Sequence, residues 1–155
     1  MIKKIKTGFK DLVIFEGKKH KGKRGYLTEM LREEKIGKKF KFQILSKSKK
    51  NVLRGLHFQL KKPQAKYITV IKGKILDVAV DLRKKSKTFG KVFSVILTDK
   101  NCKSIFIPAG FAHGFLTLEN ENIIHYSCTQ YRSVGNEFSL YYKDPSLKIK
   151  WPKVK

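Results

Sequence analysis

Acidic residues are scarce in this chain: 12 Asp and Glu stand against 36 Lys and Arg, leaving a formal net charge of +24 over 155 residues. Such an imbalance raises nucleic acid, an anionic membrane surface or a phosphorylated small molecule as partners. The excess is nearly all lysine, however, in short clusters such as Lys18-Lys19, Lys47-Ser48-Lys49-Lys50 and Lys84-Lys85 beside expected turns. Phosphate-tracking proteins concentrate charge on one element, so this pattern reads as a solvated lysine surface. Cysteine is also rare. Cys102 and Cys128 have no CxxC or Cys/His metal spacing and are too few for a disulfide framework, which points to a reduced, cytoplasmic protein. Long apolar runs are missing: the opening MIKKIKTGFKDLVIFEG has no stretch of signal-peptide length, and no segment would cross a bilayer. Secretion and membrane spanning are both disfavoured.

What is present is core material. Apolar residues make up 41% of the chain, with 11 Phe and 6 Tyr, enough to fill one continuous core and one domain of this length. From Gly25 onward, β-branched and aromatic runs are punctuated by Gly, Asn, Asp and Lys about every ten residues, the spacing of a sandwich or barrel. Strands are expected over 25–31, 39–45, 52–60, 67–72, 74–82, 92–98, 104–107, 113–118 and 123–131, with one short polar helix over 32–37. Within 74–82, Leu76, Val78, Val80 and Leu82 share one face while Asp77, Ala79 and Asp81 share the other, which is expected to be wet or functional. The whole reads as a single all-β domain, closed or double-sheeted to hide its edges.

Two segments concentrate possible chemistry. His57 lies in Leu53-Arg54-Gly55-Leu56-His57-Phe58-Gln59, where Gly55 leaves room for a ligand or a bulge. Alone, a strand histidine is more often a structural hydrogen-bonder than a catalyst. The run Ile107-Pro108-Ala109-Gly110-Phe111-Ala112-His113 shapes a tight turn that delivers His113 to the next strand, and matches the PxGxxH half of the cupin signature. A cupin metal site also needs an HxH cluster with a following Glu. Here that stretch offers only His57, Gln59 and Lys66, and an ammonium in place of a carboxylate argues against a metal.

RGLHFQ at 54–59, PQAKYITVIKG at 63–73, DVAVDLRKKSKTFGK at 77–91, IPAGFAHGFL at 107–116 and DPSLKIKWP at 144–152 together resemble the dTDP-4-dehydrorhamnose 3,5-epimerases, in order and spacing. The resemblance implies a cupin-type jelly-roll β-barrel (a double-stranded β-helix) over 25–152, preceded by an N-terminal extension or strand over 1–24. It also implies a homodimer that needs no metal or organic cofactor and takes a nucleotide-sugar substrate. The 4-keto group of that substrate acidifies C3 and C5, so a base removes each proton and an acid on the opposite face returns one.

By the same resemblance, His57 is the base, Asp144 the carboxylate holding its imidazole in one tautomer, Tyr126 the acid and Lys66 the cation facing the enolate oxygen. Arg24, Glu29, Gln43, Arg54, His113, Tyr131 and Glu137 are implied as substrate-binding residues, the arginines suiting a diphosphate through their planar fork. Each also has a plain structural reading: Asp144 before Pro145 starts a turn, Lys66 and Arg24 are surface cations, and the tyrosines cover core. A relative inverting only C3 or C5, a non-catalytic cupin-like binding module and a nucleic-acid barrel stay open, although the aromatics sit inside apolar runs rather than along a basic groove. Parity supplies an independent expectation: Arg54 and His57 point to opposite faces unless the strand bulges near Gly55. The segment Ile44-Leu45-Ser46 lacks the asparagine usual in the family, and Tyr26 stands where phenylalanine is usual.

Overall fold

The structure is a computed structural model and describes residues 2–153. Thirteen strands are arranged among the described residues as two antiparallel sheets and one hairpin. The larger sheet combines β1 (Lys3–Lys6), β2 (Val13–Glu16), β5 (Phe42–Ser48), β7 (Lys66–Lys72), β10 (Lys103–Ile107) and β12 (Asn122–Cys128), in the order β1-β2-β10-β7-β12-β5. The smaller combines β6 (Leu53–Gln59), β8 (Lys74–Asp81), β9 (Val92–Thr98), β11 (Phe111–Thr117) and β13 (Glu137–Ser139), in the order β13-β6-β11-β8-β9. The hairpin pairs β3 (Lys19–Gly22) with β4 (Gly25–Thr28). This is the expected jelly roll, and strands of the first 24 residues belong to it: β1 and β2 extend the larger sheet.

Alternation decides which side chains meet. Ile68 and Val70 of β7 and Ile124 of β12 face Ala79 of β8 and Phe111 and Phe115 of β11 across the barrel interior. Ile68, Ile75, Leu97 and Ile124 are fully buried there, each worth about 1.5–3 kcal/mol in burial free energy. The alternate residues point outward and are covered by connecting chain. Phe15, Tyr67 and Phe106, outside the larger sheet, meet Leu31, Ile36 and Phe40. Leu56, Leu76, Val78 and Val80, outside the smaller sheet, meet Leu140, Leu147, Ile149 and Trp151 of the C-terminal segment. The helix expected over 32–37 is α1 (Glu33–Ile36), ended by Gly37 at φ +73°, whose N–H bonds to the Glu33 carbonyl.

In β8 the alternation is present, but neither face is wet. Asp77 and Asp81 are 1% and 0% exposed, so each must find partners. Asp81 accepts from the Arg83 backbone and guanidinium, Ser86 Oγ and Thr88 Oγ1, which folds residues 81–88 into a closed turn. Burial alone would raise the Asp81 carboxyl, yet these hydrogen bonds outweigh it and hold the group well below the usual carboxylate range.

Candidate active site

Between β6 and β11 the two backbones approach too closely for side chains. A Cβ on Gly55, which sits at φ +111°, would lie 2.6 Å from Gly114 Cα, and one on Gly114 would lie 2.5 Å from the Arg54 carbonyl oxygen. At this point the register shifts: His57 pairs with His113, but Arg54 pairs with Phe115, so β6 spends three residues where β11 spends two. This β-bulge places Arg54 and His57 on the same interior face, as the parity argument required.

Around them the site runs from an exposed mouth to a buried floor. At the mouth, His57 Nδ1 lies 2.9 Å from Ser139 Oγ of β13, its direct partner in the ladder. Arg54 Nε donates to Ser48 Oγ at 2.9 Å, which ties the smaller sheet to the larger one. Deeper, Tyr126 of β12 holds its hydroxyl 3.1 Å from Ser46 Oγ, and its ring packs on Phe115 with centroids 6.2 Å apart. At the floor, His113 Nε2 and Asp77 Oδ2 are 2.8 Å apart and both residues are buried. Asp77 Oδ1 has no hydrogen-bond partner among the described residues. Lys66 is directly opposite Cys128 across β7 and β12, so both point inward.

The surroundings tune these groups differently. Partial burial lowers the His57 imidazole, opposed by Glu137 and helped by the neighbouring Lys66, His113 and Arg132. A neutral ring with a free lone pair is therefore favoured. Burial pushes the Tyr126 phenol up to about 12 against the Ser46 hydrogen bond, which keeps it protonated. Burial also lowers the Lys66 ammonium, while Cys128, Glu137 and Asp77 act to retain its proton. The site thus offers a proton acceptor on the smaller sheet, a proton donor on the larger, and a cation beside the donor strand. Among the described residues no group of three or more His, Cys, Asp or Glu side chains could hold a metal ion.

His57, Arg54, Lys66, His113 and Tyr126 are thus brought together, joined at the rim by Glu137, which binds Arg132 at 2.6 Å. Tyr131 lies just beyond β12, largely exposed, with its ring 5.8 Å from Phe42. Asp144 makes no hydrogen bond to His57 among the described residues. Its Oδ1 accepts from Ser146 N at 2.9 Å and Ser146 Oγ at 2.6 Å and caps the 3-10 turn Pro145–Leu147. The physical reason is the packing of Leu147, Ile149 and Trp151 on the outside of the smaller sheet, which carries the segment away from the interior. Three binding candidates lie on the other side of the larger sheet. Arg24 occupies the exposed β3–β4 turn, Glu29 pairs with Arg32, and Gln43 Oε1 lies 2.9 Å from His125 Nε2 on the outward face of β5. Ser139 and Asp77 were not singled out from sequence. Asp77 was visible as a charge inside an apolar alternation, whereas nothing marked Ser139.

A profile of the dTDP-4-dehydrorhamnose 3,5-epimerases matches residues 6–155. The chain belongs to that family. It is 42% identical over 153 residues to the dTDP-4-dehydrorhamnose 3,5-epimerase of Methanothermobacter thermautotrophicus, covering 96% of this chain and 83% of the relative. A crystal structure of a dTDP-6-deoxy-D-glucose-3,5-epimerase from Legionella pneumophila, in complex with dTDP-4-keto-L-rhamnose, superposes with a TM-score of 0.94 at 40% identity, covering 98% of this chain and 84% of the other. ChmJ, a 3'-monoepimerase from Streptomyces bikiniensis solved with dTDP-quinovose, shares the fold at a TM-score of 0.88 and 29% identity, covering 94% and 77%. The bulge and the two-walled interior described above are thus features of a family member.

Proposed function

We propose that this chain epimerises C3 and C5 of dTDP-4-dehydro-6-deoxy-D-glucose to give dTDP-4-dehydro-L-rhamnose. The observation that carries the reading is that the His57 imidazole and the Tyr126 phenol stand on opposite walls of one interior, where burial favours the neutral form of each. Inversion requires this arrangement. His57 takes the C–H proton next to the ketone and becomes an imidazolium, and the electron pair moves into the carbonyl to form an enolate. Tyr126 delivers its O–H proton to the same carbon from the opposite face and becomes a phenolate. The two groups then exchange protons with solvent before the second centre reacts. Lys66 stabilises the enolate oxygen electrostatically, and Arg54 binds the diphosphate.

The enzyme acts as a cytoplasmic homodimer supplying a deoxysugar nucleotide for polysaccharide synthesis. Support for the dimer comes from apolar side chains that one chain leaves uncovered: Tyr26 and Leu27 of the β3–β4 hairpin, next to Arg24, and Leu45 of β5, near Gln43, are 57%, 75% and 61% exposed. A second copy seated there would cover this apolar surface and bring binding residues that one chain keeps apart from His57 to the partner's site. The first experiment is proton NMR of dTDP-4-dehydro-6-deoxyglucose with the protein in D2O, beside a His57→Ala control. Exchange at both carbons that falls at least about 100-fold in the control is expected. Exchange at one carbon would assign a single-centre epimerase, and none would refute the reading.

A further inference from the structure

His57 needs a group that fixes its tautomer, because only a nitrogen without a proton can act as a base. The residue at its Nδ1 is Ser139, at 2.9 Å. The contact is built into the backbone: Ser139 and His57 are directly opposed in the antiparallel ladder of β13 and β6, which brings their side chains together on one face. Asp144 is occupied by Ser146 instead.

We propose that Ser139 is the positioning residue of His57, its oxygen accepting the Nδ1–H and so leaving Nε2 as the proton-accepting nitrogen. This rests on the reading of His57 as the base. A hydroxyl suits the task because the same Nδ1–H bond persists when the ring becomes an imidazolium, so the ring need not turn during the cycle. The titratable and charged groups that face His57 are Glu137 of β13, Lys66 of β7, His113 of β11 and Arg132 in the β12–β13 connection. Among the described residues none of these is hydrogen-bonded to Nδ1, and Ser139 is, which gives it control of the tautomer.

The test is long-range 1H–15N NMR of the histidine rings in the ligand-free protein, compared with Ser139→Ala, Ser139→Thr and Asp144→Asn. The proton of His57 is expected on Nδ1 in the wild type, in Ser139→Thr and in Asp144→Asn, and to move to Nε2 in Ser139→Ala. In the epimerase assay Ser139→Ala should lose about tenfold in kcat with KM little changed, and the threonine variant should recover most of it. A wild-type proton on Nε2, an unchanged tautomer in Ser139→Ala, or a shift confined to Asp144→Asn would overturn the proposal. Should the wild type catalyse no exchange at all, the epimerase reading falls, while the ring NMR still decides whether Ser139 orients His57.

Discussion

Burial acts in opposite senses on His57 and Tyr126, the two groups proposed to carry protons in this barrel. It lowers the histidine, whose charged form is the protonated one, and raises the tyrosine, whose charged form is the deprotonated one. A base must be neutral to work, so activity is lost only as pH falls through the folded value of His57, which lies below its ordinary 6.5. The acid limb of kcat/KM should therefore sit on the acid side of pH 6.5, and in a pH profile a limb above that value would contradict it. On the alkaline side Lys66, lowered from 10.5, gives up its proton before Tyr126 at about 12. The alkaline limb thus belongs to Lys66. Tyr126→Phe should leave deuterium exchange at C3 and C5 partly alive, because His57 is intact, while net inversion falls about 100-fold. Inversion at the wild-type rate, followed by NMR, would remove Tyr126 from its role.

Single strands carry more of the design than their length suggests. The bulge of β6 depends on the absence of side chains at Gly55 and Gly114, so Gly114→Ala should cost about 1–3 kcal/mol in urea unfolding as the added Cβ presses on the Arg54 carbonyl. It should also raise KM, since Arg54 shifts relative to His57. The central strands were legible in the sequence because period-two alternation survives in runs such as 74–82, and the bulge was legible because Arg54 and His57 had the wrong parity for one pocket. The strands β1, β2, β3 and β13 were not. Lys3–Lys6 is three-quarters lysine, Val13–Glu16 has too few residues to show a period, and Glu137–Ser139 is three residues held by β6 alone. The position of Asp144 was illegible for a different reason: which side of a sheet a terminal segment covers is settled by the packing of Leu147, Ile149 and Trp151, not by the DP motif itself.

At the scale of the molecule, charge and packing work on separate surfaces. With +24 on each 18.0 kDa chain, self-association is opposed by repulsion that salt screens. Light scattering should therefore give twice the chain mass in moderate salt and drift towards the monomer at low ionic strength; a monomer under both conditions would exclude the dimer. His57, Tyr126 and Lys66 all point into the barrel, while most of the other lysines are exposed on its exterior. That insulation has an evolutionary reading. A lineage can recoat the exterior, trading one surface chemistry for another as its host's interior changes, and leave the reaction untouched, because the exposed lysines and the inward-pointing His57, Lys66 and Tyr126 lie on different faces of the barrel.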